Sequence, residues 1–222
     1  MFSAAARALG DITSPALRGV LWKALGLTVL LFAVLLVALE LALSWAQLVP
    51  WPWLETLIQV FTGLGLFAGF IFLLAPVTAM FAGLFLDEVA DAVEVRHYPH
   101  EPPGRPLPTL LALLTGIEFA LLVLVVNLAL LPFFFFGIGV VMMWLGNAYL
   151  LGREFFGLVA TRHLPPAEAA RLRKAHAGSV FAAGLIPAGL ALLPLANFLT
   201  PVFATAYFVH VYRLLRDGKT AL

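Results

Sequence analysis

The chain has 222 residues, of which 63% are hydrophobic and only 11% charged, with a mean hydropathy of +1.03. A water-soluble fold of this length would lack the polar surface to cover itself, so the composition excludes one and leaves the bilayer as the solvent. The formal net charge of +1, with no basic arm, argues against a nucleic-acid partner, and the lack of cysteine removes disulfides, thiolate chemistry and cysteine-ligated metals.

From the N-terminus, Arg7, Asp11 and Arg18 interrupt the first residues, and the apolar run behind them is much longer than a signal-peptide core, so this segment is expected to be retained. Ser14-Pro15 reads as a helix start, because Ser caps and Pro at the first helical position sacrifices no hydrogen bond. The amides of Ala16, Leu17 and Arg18 would then point out of the helix end beside the Arg18 guanidinium. Such a terminus is either a simple cap, with Arg18 meeting lipid phosphate, or an oxyanion seat.

The first apolar run, about 24–49, is broken only by Glu40, and Pro50-Trp51-Pro52-Trp53 turns the chain where tryptophans suit a membrane interface. The second run, about 54–86, carries Gly65 and Gly69 at the spacing of close helix packing, with Gly63 nearby. Asp87, Glu88, Asp91 and Glu94 then recur at three- and four-residue spacing, which predicts an amphipathic helix with a solvated acidic face. A third run, 107–131, holds Glu118 and Asn127 inside apolar sequence. Both read either as hydrogen-bonded packing groups or as parts of a proton or ion path. Pro132 and Phe133–Phe136 mark a break before a fourth run, 133–151. A charged connection, 152–177, leads to two short runs, 178–193 and 195–212, with Pro187, Pro194 and Pro201 inside or between them. These predict a hairpin with its tip near Pro194 to Asn197, where Asn197 would cap the second arm.

All thirteen Lys and Arg fall in four places: the N-terminal stretch, 87–106, 152–177 and the C-terminal tail. The positive-inside rule therefore predicts both termini and both long loops in the cytoplasm of a single membrane domain, 1–222. This sidedness fits six full spans as well as two spans plus two re-entrant hairpins.

No hydrolase, nucleotide-binding, dinucleotide-binding or zinc-protease motif occurs, so no catalytic residue, metal ligand or cofactor is assigned and an enzyme is not expected. Four of the five histidines fall in or beside connections, and His97 and His100 have no carboxylate partner at metal-site spacing, so a solvated loop is expected there.

In order along the chain, three stretches resemble the CysZ-type sulfate permeases, within the wider etoposide-induced-protein membrane family. They are Ala8-Leu9 through Ser14-Pro15-Ala16-Leu17-Arg18, Ala75-Pro76-Val77 through Leu86-Asp87-Glu88-Val89, and Leu193-Pro194-Leu195-Ala196-Asn197-Phe198 with Pro201-Val202 and Ala204-Thr205-Ala206. The resemblance implies an all-α integral membrane protein with two long transmembrane helices and two helical hairpins that penetrate partway. It also implies homo-oligomers in the bacterial inner membrane and uptake of sulfate or a related oxyanion for sulfur assimilation. The anion would sit at Ser14, Ala16, Leu17 and Arg18. Gly19 stands where family members often have a second arginine, and Arg153-Glu154-Phe155-Phe156 where they often show an Asp-Tyr-Pro-like stretch. A structural or assembly protein on the same scaffold, without transport, is the alternative function.

Overall fold

The computed structural model describes residues 1–46, 60–61, 63–65, 69–70, 74, 77–78, 80–193 and 196–218. Among these no strand occurs. In chain order the helices are α1 (Phe2–Ile12), α2 (Pro15–Ala46), α3 (Leu86–His97), α4 (Thr109–Leu130), α5 (Gly139–Thr161), α6 (Pro166–Ala175), α7 (Ala177–Ala191) and α8 (Thr200–Arg216). Short 3₁₀ turns, Leu131–Phe136 and Asn197–Leu199, follow α4 and precede α8. The described residues between 60 and 83 are helical as well.

Helix α1 buries Ala4, Ala8 and Asp11, a helical stripe of small side chains that lets it lie close against α8. Helix α2 begins at Pro15, as the Ser-Pro step predicts, and runs 32 residues. At 1.5 Å per residue that is about 48 Å, longer than the bilayer's hydrocarbon core. It lies antiparallel to the second apolar run. Phe32 meets Phe70 edge to face with ring centroids 4.9 Å apart, the Thr78 hydroxyl donates to Thr28 Oγ1 at 3.1 Å, and Lys23 pairs with Glu88 at 2.7 Å. Its apolar side chains Leu30, Val34, Val37 and Leu41 point out of the fold.

Helices α4 and α5 form the first hairpin. The break predicted at Pro132 is the 3₁₀ turn, and Gly137 reverses the chain with φ of 72°, a conformation that favours glycine. Residues 152–161, expected to open the charged connection 152–177, instead extend α5, and α6 follows them.

The tightest helix crossing joins α5 to α7. A Cβ on Gly152 would lie 2.7 Å from the Val180 carbonyl oxygen, and one on Gly184 would land on the Ala148 carbonyl. At Gly65 and Gly69, where close packing is expected, no atom of the described residues lies within 4 Å of a Cβ built on either.

Helix α8 is the centre of the fold. From Val202 to Tyr212 every residue is buried, with α1, α3, α5 and α7 packed around it. The predicted C-terminal hairpin is present as α7 and α8. Asn197 does not cap α8, however. It opens the preceding 3₁₀ turn, and the residue at the helix cap is Leu199. Trp51, Trp53, Pro194, Leu195 and the Glu40 side chain lie outside the described residues.

Among the described residues, three segments are long and apolar enough to cross a membrane: Pro15–Leu39, Leu110–Phe136 and Asn197–Arg216. The protein is an all-α integral membrane protein.

Candidate functional site

The described residues of the four stretches that hold the Lys and Arg converge at one end of the fold. Helix α3 supplies most of the acid. Asp87 accepts from Arg162 Nη1 at 2.5 Å, Asp91 accepts from Arg162 Nη2, and Glu94 stands 3.7 Å from the same nitrogen. The predicted solvated acidic face is therefore half wrong. Asp87, Glu88 and Asp91 are about half exposed, but Glu94 is buried, and three of the four carboxylates gather on a guanidinium only 1% exposed. A charge with so little water must be met by opposite charge, and helical spacing delivers it.

Glu94 also accepts from the Gly104 amide at 3.2 Å and lies 2.8 Å from His163 Nε2. Burial raises its pKa. The His163 hydrogen bond, the Arg162 and His163 charges and the Gly104 amide outweigh that and hold it below the ordinary carboxylate value. His163 stacks on Tyr212, with centroids 5.4 Å apart. Arg216 clamps Glu101 with two bonds of 2.6 and 2.8 Å, and Arg213 joins the same carboxylate.

A second cluster ties α1 to α3 and α8. His97 Nε2 lies 2.9 and 3.0 Å from the two oxygens of Asp11, and His210 Nε2 lies 3.4 Å from Oδ2. Arg96 reaches Oδ1 at 3.2 Å, and the Tyr98 hydroxyl is 2.8 Å from His210 Nδ1. Burial pushes the Tyr98 phenol up, against the lowering pull of the Arg7 and Arg213 charges, so it keeps its proton at neutral pH. His97 is thus not the partnerless loop histidine its spacing predicts. Its carboxylate comes from 86 residues away, where no local pattern could show it.

The predicted anion residues stand at the entry of α2. Ser14 Oγ accepts the Leu17 amide at 3.4 Å, and the Ser14 carbonyl accepts the Arg18 amide at 3.0 Å. Two of the three amides expected to be open are therefore engaged within the turn, which leaves the Ala16 amide. The Leu17 side chain is buried, whereas Ala16 and Arg18 are exposed. The Arg18 guanidinium makes no hydrogen bond or ion pair to a described residue, unlike Arg162, Arg213 and Arg216.

Glu118 and Asn127 are not brought together. Glu118 pairs with Arg153 at 2.5 Å, its side chain 68% exposed, and Asn127 donates to the Val123 carbonyl of its own helix at 2.8 Å. Nine residues apart, they face opposite sides of α4. Glu118, Arg153 and Arg173 line two adjoining clefts of about 360 and 390 Å³ between α4, α5, α6 and α7. Sequence reasoning missed this recess, because Arg153 and Arg173 read as loop charges. Burial, and then repulsion from Arg153, lower the pKa of Arg173, but a guanidinium stays charged there.

A search of curated proteins gives no match. A family model described as sulfate transporter CysZ/etoposide-induced protein 2.4 matches residues 4–201, from α1 through the start of α8. With nearly the whole helical scaffold covered, the chain belongs to the sulfate transporter CysZ/etoposide-induced protein 2.4 family, a family of transporters and not of enzymes.

Proposed function

We propose that the protein is a permease for sulfate or a related oxyanion in the bacterial inner membrane, where it supports sulfur assimilation. The observation that carries this reading is Arg18: an exposed guanidinium with no hydrogen-bond or ion-pair partner among the described residues, one turn into α2 beside the Ala16 amide. The free Ala16 amide and the positive end of the α2 dipole add to it. Both termini and the connections at 87–106 and 152–177 face the cytoplasm. Lys and Arg cluster on those stretches, and the ion pairs among them gather at one end. The α7–α8 hairpin enters partway, since α7 is only 15 residues long. The α4–α5 hairpin is read the same way from the family resemblance, its helices of 22 and 23 residues being long enough to cross. The protomers form a homo-oligomer in the lipid.

The dipole alone is worth about 0.3–1 kcal/mol, too little to select an anion. A charge-assisted hydrogen bond adds roughly 1.5–3 kcal/mol, so Arg18 dominates. Arg18→Ala should weaken sulfate binding about tenfold or more by calorimetry in detergent. Arg18→Lys should retain part of the affinity, because it keeps charge but loses the planar fork. Ser14→Ala should cost less. An Arg18→Ala protein that elutes normally in gel filtration and binds sulfate like the parent would place the seat elsewhere.

A further inference from the structure

Asp11, His97 and His210 have no part in the oxyanion reading, and they come from three different helices. Asp11 closes the buried stripe of α1 and is 2% exposed, His97 ends α3, and His210 lies mid-way along α8 at 1% exposure. One ligand atom from each can be chosen so that all lie within 4.8 Å of one another. Two imidazoles and a carboxylate are a borderline nitrogen–oxygen donor set, suited to the zinc end of the divalent metals and not to calcium or magnesium.

The distances fit such an ion. Tetrahedral bonds of 2.0–2.1 Å hold donor atoms about 3.3–3.4 Å apart. Measured to the one oxygen Asp11 Oδ2, the His210 Nε2 separation of 3.4 Å is already there, and the His97 Nε2 separation of 3.0 Å has only to open slightly. The surroundings fit as well. A metal-bound imidazole needs a partner for its other nitrogen, and the Tyr98 hydroxyl stands 2.8 Å from His210 Nδ1. The His97 side chain is a quarter exposed, and a cavity of about 140 Å³ lies against Tyr98 and His210.

The geometry points to a divalent transition-metal site of the zinc class at Asp11, His97 and His210, which locks α1 onto α3 and α8 one turn before α2 begins. Both imidazoles bind through Nε2. Each ring binds as the neutral tautomer with its single proton on Nδ1. The proton that bridges Nε2 to Asp11 in the metal-free protein is thus exchanged through water to Nδ1 with no net loss, and His210 donates it to Tyr98 Oη. Two cations oppose the ion. Arg96 pairs with Asp11 from the solvent side, its side chain 53% exposed, and Arg7 lines the adjoining cavity. Arg96 must swing away when the metal enters.

The test is a titration of the tag-free, chelator-treated full chain in detergent, with Co²⁺ followed by Zn²⁺. The parent should bind one equivalent of Co²⁺ with a visible d–d band that Zn²⁺ abolishes, and Zn²⁺ should raise its thermal midpoint. His97→Ala replaces the least buried ligand and should lower the affinity about a hundredfold while the protein stays monodisperse. Tyr98→Phe should lower it roughly tenfold. Arg96→Ala, which removes the competing cation, should raise it severalfold, an effect that a merely structural ion-pair cluster would not give. His100→Ala should change nothing. A parent that binds no ion overturns the site, and so does a His97→Ala variant that binds with parental affinity and spectrum.

Discussion

Leu110–Phe136 and Asn197–Arg216, the segment that contains α8, both have the length and apolarity of a membrane span, yet the chain treats them oppositely. None of the apolar window of the first is buried within the protein, and 78% of that of the second is. Hydropathy records that a helix avoids water. It does not record whether lipid or protein takes the water's place. The difference lies in residue type. The first segment is dominated by leucine, valine and phenylalanine, ending in Phe135 at 92% exposure and Phe136 at 76%. Helix α8 alternates small residues, Ala204, Thr205 and Ala206, with Tyr207, His210, Tyr212 and Arg213, whose polar atoms call for protein partners. Several are supplied from about a hundred residues away: Tyr98 for His210 and Glu101 for Arg213.

Truncation should separate the two regions most sharply. Phe208 is fully buried in α8 beside Phe155 and Tyr207, and Phe208→Ala should cost roughly 3–5 kcal/mol of unfolding free energy in detergent. Phe135→Ala should change it by no more than about 0.5 kcal/mol. Equal losses would mean that the hairpin tip is packed against protein.

A methyl group sharpens the contrast by its sign. Gly184→Ala drives Cβ onto the Ala148 backbone and should destabilise by about 1–3 kcal/mol, because neither helix can retreat without opening the core. Gly116→Ala, in open space on α4, should stabilise by about 0.5–1 kcal/mol through the ordinary helix preference for alanine. Thermal unfolding of both variants decides the matter, and a destabilised Gly116→Ala would place a neighbour against α4.

The smallest effect is electrostatic and belongs to the charged end of the core. The pKa of Glu94 is lower folded than unfolded, so its contribution to stability is present above the unfolded carboxylate value. That contribution is lost as pH falls through the folded one. Unfolding midpoints measured from pH 6 downward should therefore fall below about pH 4.5. Glu94→Gln should flatten part of that slope.

Much of the fold was legible because one signal, long apolar runs parted by charge, is local. The Ser14-Pro15 start, the break at Pro132 and the two C-terminal arms all rest on it. Where the outcome depended on which helices meet, the chain alone was silent. Glycine spacing singled out Gly65 and Gly69, but the close crossing falls at Gly152 and Gly184, which are 32 residues apart and share no motif. Arg162 read as one loop charge among five, because nothing local shows that Asp87 and Asp91, more than seventy residues upstream, will close on it. Of the anion residues, the capping serine was legible. That Leu17 and Arg18 would spend their amides inside the turn follows only from the geometry of the cap.

Transport is the claim on which the functional account stands, and the most direct measurement is labelled sulfate uptake into sealed vesicles that hold the purified protein. The account predicts time-dependent accumulation down a sulfate gradient well above that in protein-free vesicles. It predicts at least about tenfold slower uptake with Arg18→Ala reconstituted to the same density. Parent vesicles that take up no more sulfate than empty ones would contradict it.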